Sequence, residues 1–244
     1  MRGDPTGPEG LDAFVEREWK PLLAALTVAC GAASDPEGAL AEAVARAWER
    51  ADRGDRIENL RGWILTVAMN QVGDSARRMR TSERAYRLLA VTLRQSSEPP
   101  SPDSLDLLQA VGRLSPRQRQ AVVLYYWADL PVAEVAGFMG AAEGTIRALL
   151  HQARTALGSD GRRATDQGGE RMTSTLGEDD LRERLGILVH EMSLTLDSEP
   201  AVRPEPERLE RRGGGGHGEP LRLRGPPRVR RGRRPGLGGS GSPS

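Results

Sequence analysis

The chain has 244 residues, 37 % apolar, 28 % charged and 4 % aromatic, with a net charge of +1 and one cysteine. No run of about 18 apolar residues occurs, which excludes a membrane-spanning helix. The polar, Pro/Gly-rich start Met1–Gly10 does not read as a signal peptide, and one thiol excludes an internal disulfide or a paired-cysteine metal site.

In chain order, residues 11–33 read as a helix with Phe14, Trp19, Leu22, Leu23, Leu26 and Ala29 at helical spacing and a kink or break expected at Pro21. Cys30 falls in its apolar stretch and is expected to be a buried, inert thiol, which makes a reducing cytoplasm the default compartment. Residues 35–52 read as a second helix, with Asp35 at the N-cap, Pro36 at the first position and Leu40, Val44, Ala47 and Trp48 inward. Residues 59–80 form a third, with Leu60, Trp63, Ile64 and Val67 apolar and Arg77, Arg78 and Arg80 at its far end. A fourth spans 82–94. Gln95–Pro102 (QSSEPPSP) reads as an extended, flexible linker. A helix over 103–113 follows. Ser115, Pro116 and Gln118 then give a capping-box start to a helix reaching about Ala128. Two more helices cover 131–139 and 142–157. Beyond Gly158 one amphipathic stretch, 176–196, can form a helix, whereas 200–244 is Pro, Gly and Arg and is expected to be disordered. The fold class expected is all-α, in two small helical domains and a tail.

Charge is zoned along this order. Residues 1–60 sum to −5, residues 70–94 to +4, and residues 211–244, with nine Arg against one Glu, to +8. Such zoning raises the question of nucleic acid.

The sharpest motif is Pro131–Leu157. Ala136 stands four residues before Gly140 and Ile146 six after it, the spacing of a helix-turn-helix. A small residue at 136 lets two helices approach, glycine at 140 permits the left-handed turn, and isoleucine at 146 fills the corner. The second helix would then present Glu143, Gly144, Thr145, Arg147, Ala148 and His151 where a recognition helix meets base edges, and Arg154 further along. An αα-corner without a ligand is the plain alternative. In the segment 59–80, Arg61, Trp63, Asn70, Asp74, Arg77 and Arg78 are the materials for holding a phosphate backbone and an unstacked base, and a solvated basic helix end is its plain alternative. In the segment 35–50 the acids Glu37, Glu42 and Glu49, with Arg46, can form a protein-docking face or simply a solvated one. Catalysis finds little support. His151, His190 and His217 are far apart, and no GxxxxGK[ST], GxSxG or HExxH occurs. No cofactor or metal is expected.

Taken together, Asp35–Trp48, Arg61–Asn70 with Asp74 and Arg77-Arg78, and Leu114–Leu157 resemble a bacterial sigma-70 family RNA polymerase sigma factor of the extracytoplasmic-function (ECF) type. The resemblance implies two helical domains, 11–94 and 103–158, joined by the linker 95–102 and followed by a tail over 159–244. It implies that residues 35–50 (Glu37, Glu42, Arg46, Glu49) bind the polymerase clamp. Arg61, Trp63, Asn70, Asp74, Arg77 and Arg78 would capture and melt the −10 element. Residues 143–154 would read the −35 element. The implied partners are core RNA polymerase (clamp and flap), promoter DNA and an anti-sigma factor, with no membrane insertion. A stand-alone helix-turn-helix regulator and a degenerate sigma-like adaptor are the alternatives. The chain departs from the family pattern at Gly38, Ala41, Ala142 and Leu149, and Met172-Thr-Ser-Thr-Leu176 reads like the start of a second reading frame fused to the first.

Overall fold

The computed structural model describes residues 8–31, 35–76, 83–160, 177–196 and 199–200. All regular structure among the described residues is helical: α1 (Pro8–Cys30), α2 (Pro36–Asp52), α3 (Leu60–Ala76), α4 (Glu83–Arg94), α5 (Pro102–Arg113), α6 (Pro116–Val122), α7 (Val132–Met139), α8 (Glu143–Asp160) and α9 (Glu178–Thr195). α6 runs on into a π-helical segment, Val123–Trp127. The all-α class read from the sequence is the class observed.

α1 is the central helix. Leu22 through Cys30 are all buried, so its second half is apolar on every side and packs within the core rather than on it. It continues through Pro21 without a break. Proline removes one backbone donor there, and burial of Trp19, Leu22 and Leu23 on both sides holds the helix together regardless. α2 starts as its cap residues dictate, with the Gly38 N–H donating to Asp35 Oδ1 at 2.9 Å. Its stripe Leu40, Ala43, Val44, Ala47 and Trp48 is buried, and the Trp48 indole N–H donates to Asp12 Oδ1 at 2.7 Å, tying α2 to α1. Asn59 caps α3 by accepting from the Gly62 N–H at 2.9 Å.

Segment 95–101 joins α4 to α5 as a turn, pinned where the Ser96 hydroxyl donates to the Leu93 carbonyl at 2.7 Å. α4 and α5 lie close enough that a Cβ at Gly112 would sit 2.6 Å from Tyr86 Cβ, so only glycine fits. In this structure the two halves share one continuous core. The C-terminal carbonyls of α1 mark the junction. The Tyr86 hydroxyl donates to the Val28 carbonyl at 2.9 Å, and Arg119 Nε donates to the Ala29 carbonyl at 3.3 Å. Arg119 is 2 % exposed, donates also to the Leu114 carbonyl at 2.6 Å and lies 4.9 Å from the Tyr86 ring centre. A cation is well placed at the negative end of a helix. Burial pushes the neighbouring Cys30 thiol up to about 12, with Arg119 pulling the other way, so the thiol stays protonated and inert.

α9 is the amphipathic stretch anticipated within the tail. Leu181, Leu185, Leu188, Val189 and Met192 are buried at helical spacing against α1, α5 and the π-helical segment. The rest of the tail expected to be disordered, 161–176 and 201–244, lies outside the described residues.

Candidate nucleic-acid interface

α7 and α8 form the helix-turn-helix, with α6 packed against α8. Ser115 and Gln118 form the reciprocal capping box, with the Ser115 N–H donating to Gln118 Oε1 at 2.9 Å and the Gln118 N–H donating to Ser115 Oγ at 3.3 Å. α7 ends at Gly140, whose φ of 59° is left-handed and favours glycine. Ala136 is buried at the helix crossing, and Ile146, Leu150, Ala153 and Leu157 bury the inner face of α8. Ala142 occupies the cap position of α8, its carbonyl accepting from Ile146 N at 3.2 Å, but its side chain offers no acceptor to the first turn.

The outer face of α8 is open. Glu143, Gly144, Thr145, Arg147, Ala148 and His151 are all exposed, as the motif requires. Arg147 Nη2 donates to Glu143 Oε2 at 2.8 Å, a surface pair one turn apart that holds both heads at the N-terminal end. Arg154 differs from its neighbours. Its side chain is 21 % exposed, and Nη1 donates to Glu178 Oε1 of α9 at 2.5 Å.

The expected −10 set is partly described. Arg61 is half-exposed, and its guanidinium is engaged by other side chains of the protein. Its Nη2 donates to Glu18 Oε2 at 2.6 Å, and its guanidinium lies 4.9 Å from the Trp127 ring centre, bridging α3, α1 and the π-helical segment. Trp63 is half-buried, with the Arg50 guanidinium 5.5 Å from its ring centre. Asn70 is exposed on the same side of α3, two helical turns further on. Asp74 lies on α3, and Arg77 and Arg78 fall outside the described residues. Of the expected docking set, Glu37 lies in the first turn of α2, Glu42 and Arg46 pair at 3.1 Å on its exposed side, and Glu49 is exposed near its end.

Sequence reasoning missed Glu18, Arg119, Trp127, Glu178 and Arg182. Each acts across elements distant in the chain, so no local spacing marks it. Arg182 of α9 stacks between chain segments in this way, 5.8 Å from the Tyr126 ring centre and 3.7 Å from Asp129 Oδ1.

An all-α chain whose αα-turn has a left-handed glycine, a buried corner isoleucine and an exposed second-helix face is a protein of the helix-turn-helix class. The family described as "Sigma-70, region 4" matches residues 104–157, which enclose that unit. The ECF RNA polymerase sigma factor SigL of Mycobacterium tuberculosis is 30 % identical over 137 residues, covering 52 % of this chain and 75 % of the relative. The ECF RNA polymerase sigma factor BldN of Streptomyces coelicolor is 37 % identical over 97 residues, covering 37 % of each chain. The RNA polymerase sigma-E factor of the same organism is 32 % identical over 81 residues, covering 30 % of this chain and 46 % of the relative. No solved structure matches this chain. The chain belongs to the ECF sigma factors of the sigma-70 family. No helix among the described residues is long and apolar enough to cross a membrane.

Proposed function

We propose that this protein is a promoter-selecting, non-catalytic subunit: it binds core RNA polymerase and directs initiation by reading −35 and −10 elements. The observation that carries this reading is the exposed outer face of α8, set on a helix-turn-helix in a chain of this family. Arg147 reaches base edges from the first turns of α8, together with Glu143, Thr145 and His151, while Gly144 and Ala148 leave the backbone close to the groove. Arg154, two turns later, meets phosphate. Asn70, Trp63 and Arg61 on α3, with Asp74, Arg77 and Arg78, engage the −10 strand, the aromatic ring and guanidinium groups supplying stacking and charge. Glu37, Glu42, Arg46 and Glu49 form the polymerase-docking side of α2. In this reading residues 11–94 and 103–158 act as separate units, divided at 95–102.

Run-off transcription with purified core polymerase tests it. A promoter-specific transcript that depends on the added protein supports the assignment. Sequence-specific DNA binding without core, and no transcript with it, would replace it by a stand-alone helix-turn-helix regulator.

A further inference from the structure

Two of the arginines proposed to meet DNA are engaged by other side chains of the protein. Arg154 is held by Glu178 of α9, and Arg61 is held by Glu18 and Trp127 where the halves meet. α9 adds to that closure, which α4 against α5 and α1 against α6 also make directly. Its buried stripe, Leu181 to Met192, packs on α1 from the first half and on α5 and the π-helical segment from the second. Polar anchors run along its length. Glu178 meets Arg154 of α8, Arg182 meets Asp129, and Glu191 Oε2 accepts from both the N–H and the hydroxyl of Ser101, at 3.0 Å each, in the connection between α4 and α5.

Scale shows that this arrangement is incompatible with the proposed task. Elements named −35 and −10 lie about 25 base pairs apart, or about 85 Å at ~3.4 Å per pair. A compact body of the described residues has a radius of gyration of about 15 Å and a diameter of about 40 Å. The halves must therefore part before one molecule touches both elements.

We infer that α9 is a releasable intramolecular clasp: seated, it holds α1 against α5 and the π-helical segment and takes Arg154 away from DNA; released, it frees both. The inference rests on the function proposed above. The seat suits reversibility. Buried polar atoms at it, the Tyr126 hydroxyl and the Nε atoms of Arg154 and Arg182, lack a protein hydrogen-bond partner among the described residues. Unsatisfied groups of this kind weaken a contact relative to a fully paired core.

The test uses the full chain with dyes on Ala13→Cys in α1 and Glu134→Cys in α7, both exposed positions, in a Cys30→Ala background. Two release variants are compared with it. Leu185→Asp/Leu188→Asp removes the apolar seat, and Glu178→Gln/Glu191→Gln unties two polar anchors, one exposed and one half-buried, without touching the apolar stripe. Both are expected to lower energy transfer between the dyes. Both should also raise affinity for a non-specific duplex at least threefold at low salt and steepen the salt slope by about one, the contribution of a freed Arg154. Unchanged energy transfer and salt slope in both variants would overturn the clasp. Run-off transcription separates the two claims. Lower energy transfer with no transcript from any chain removes the proposed function but leaves the closure. Equal transcription from all chains with unchanged energy transfer leaves the function and removes the clasp.

Discussion

The two ends of α8 carry the same side-chain chemistry in different surroundings. Near its start, Arg147 is 64 % exposed and pairs within its own helix. Two turns later, Arg154 is 21 % exposed and pairs with a helix more than twenty residues away in sequence. Arg119, on the helix preceding the motif, completes the series at 2 % exposure, with two carbonyls and a ring as its partners. Sequence spacing treats the three alike. What divides them is the element that packs over each one, and with it how much of each guanidinium is open to a partner.

The largest expected effect belongs to the innermost residue. Arg119→Ala removes two charge-assisted hydrogen bonds and strands the carbonyls of Ala29 and Leu114 in the core, so it should cost about 3 kcal/mol of stability. Urea unfolding followed by circular dichroism checks this, and a loss below about 1 kcal/mol would mean that the halves are not held through this residue.

The outermost residue should change sequence preference while leaving stability alone. Arg147→Ala is expected to cost about 1–3 kcal/mol at the cognate −35 sequence and to relax preference at one or two positions. Holoenzyme titration against a panel of −35 variants measures it. Equal losses across the panel would reduce Arg147 to a positioning contact, leaving the comparison with Arg154 as one of exposure only.

A gain of about 1 kcal/mol is expected from Ala142→Ser, which restores an acceptor to the first turn of α8. Thermal unfolding would detect it, and no change would mean that the open end of α8 is already satisfied by solvent.

The smallest effect concerns pH at the covered side. Burial alone would raise the Glu191 carboxyl, but hydrogen bonds from Ser104 and Ser101, together with the His190 charge, hold it below the ordinary glutamate value. A carboxyl lowered in the folded state contributes its full stabilisation above the ordinary value of about 4.3 and loses it as pH falls through the lowered one. Amide exchange of α9 should therefore quicken, relative to α8, only in acid below about pH 4. Protection of α9 that is independent of pH down to pH 3 would remove Glu191 from the seat.

Much of the fold was legible because its determinants are local. Asp35 and Ser115 cap their helices as the pattern requires, and Ala136, Gly140 and Ile146 meet as their spacing requires, whereas Ser101, in the stretch that reads as a linker, caps α5. The exposed face of α8 followed from the same period. The stripe Leu181–Met192 was visible as a stripe, but periodicity gives no address for the surface it covers. For that reason the loss of Arg154 to Glu178, the burial of Arg119 and the engagement of Arg61 by Glu18 and Trp127 had no signature. Pro21 does not break α1, since tertiary burial outweighs one missing backbone donor.

The π-helical segment Val123–Trp127 has a consequence for engineering by deletion. Its wider turn, closed by Ala128 N donating to the Val123 carbonyl at 3.0 Å, admits one residue more than an α-turn. That extra residue rotates everything after it by roughly 100° about the helix axis. It aims Trp127 at Arg61 and Tyr126 at Arg182, two arginines on opposite sides of the chain's midpoint. Excising one residue here would give a more regular helix and a misphased protein, with the rings pointing past their cations.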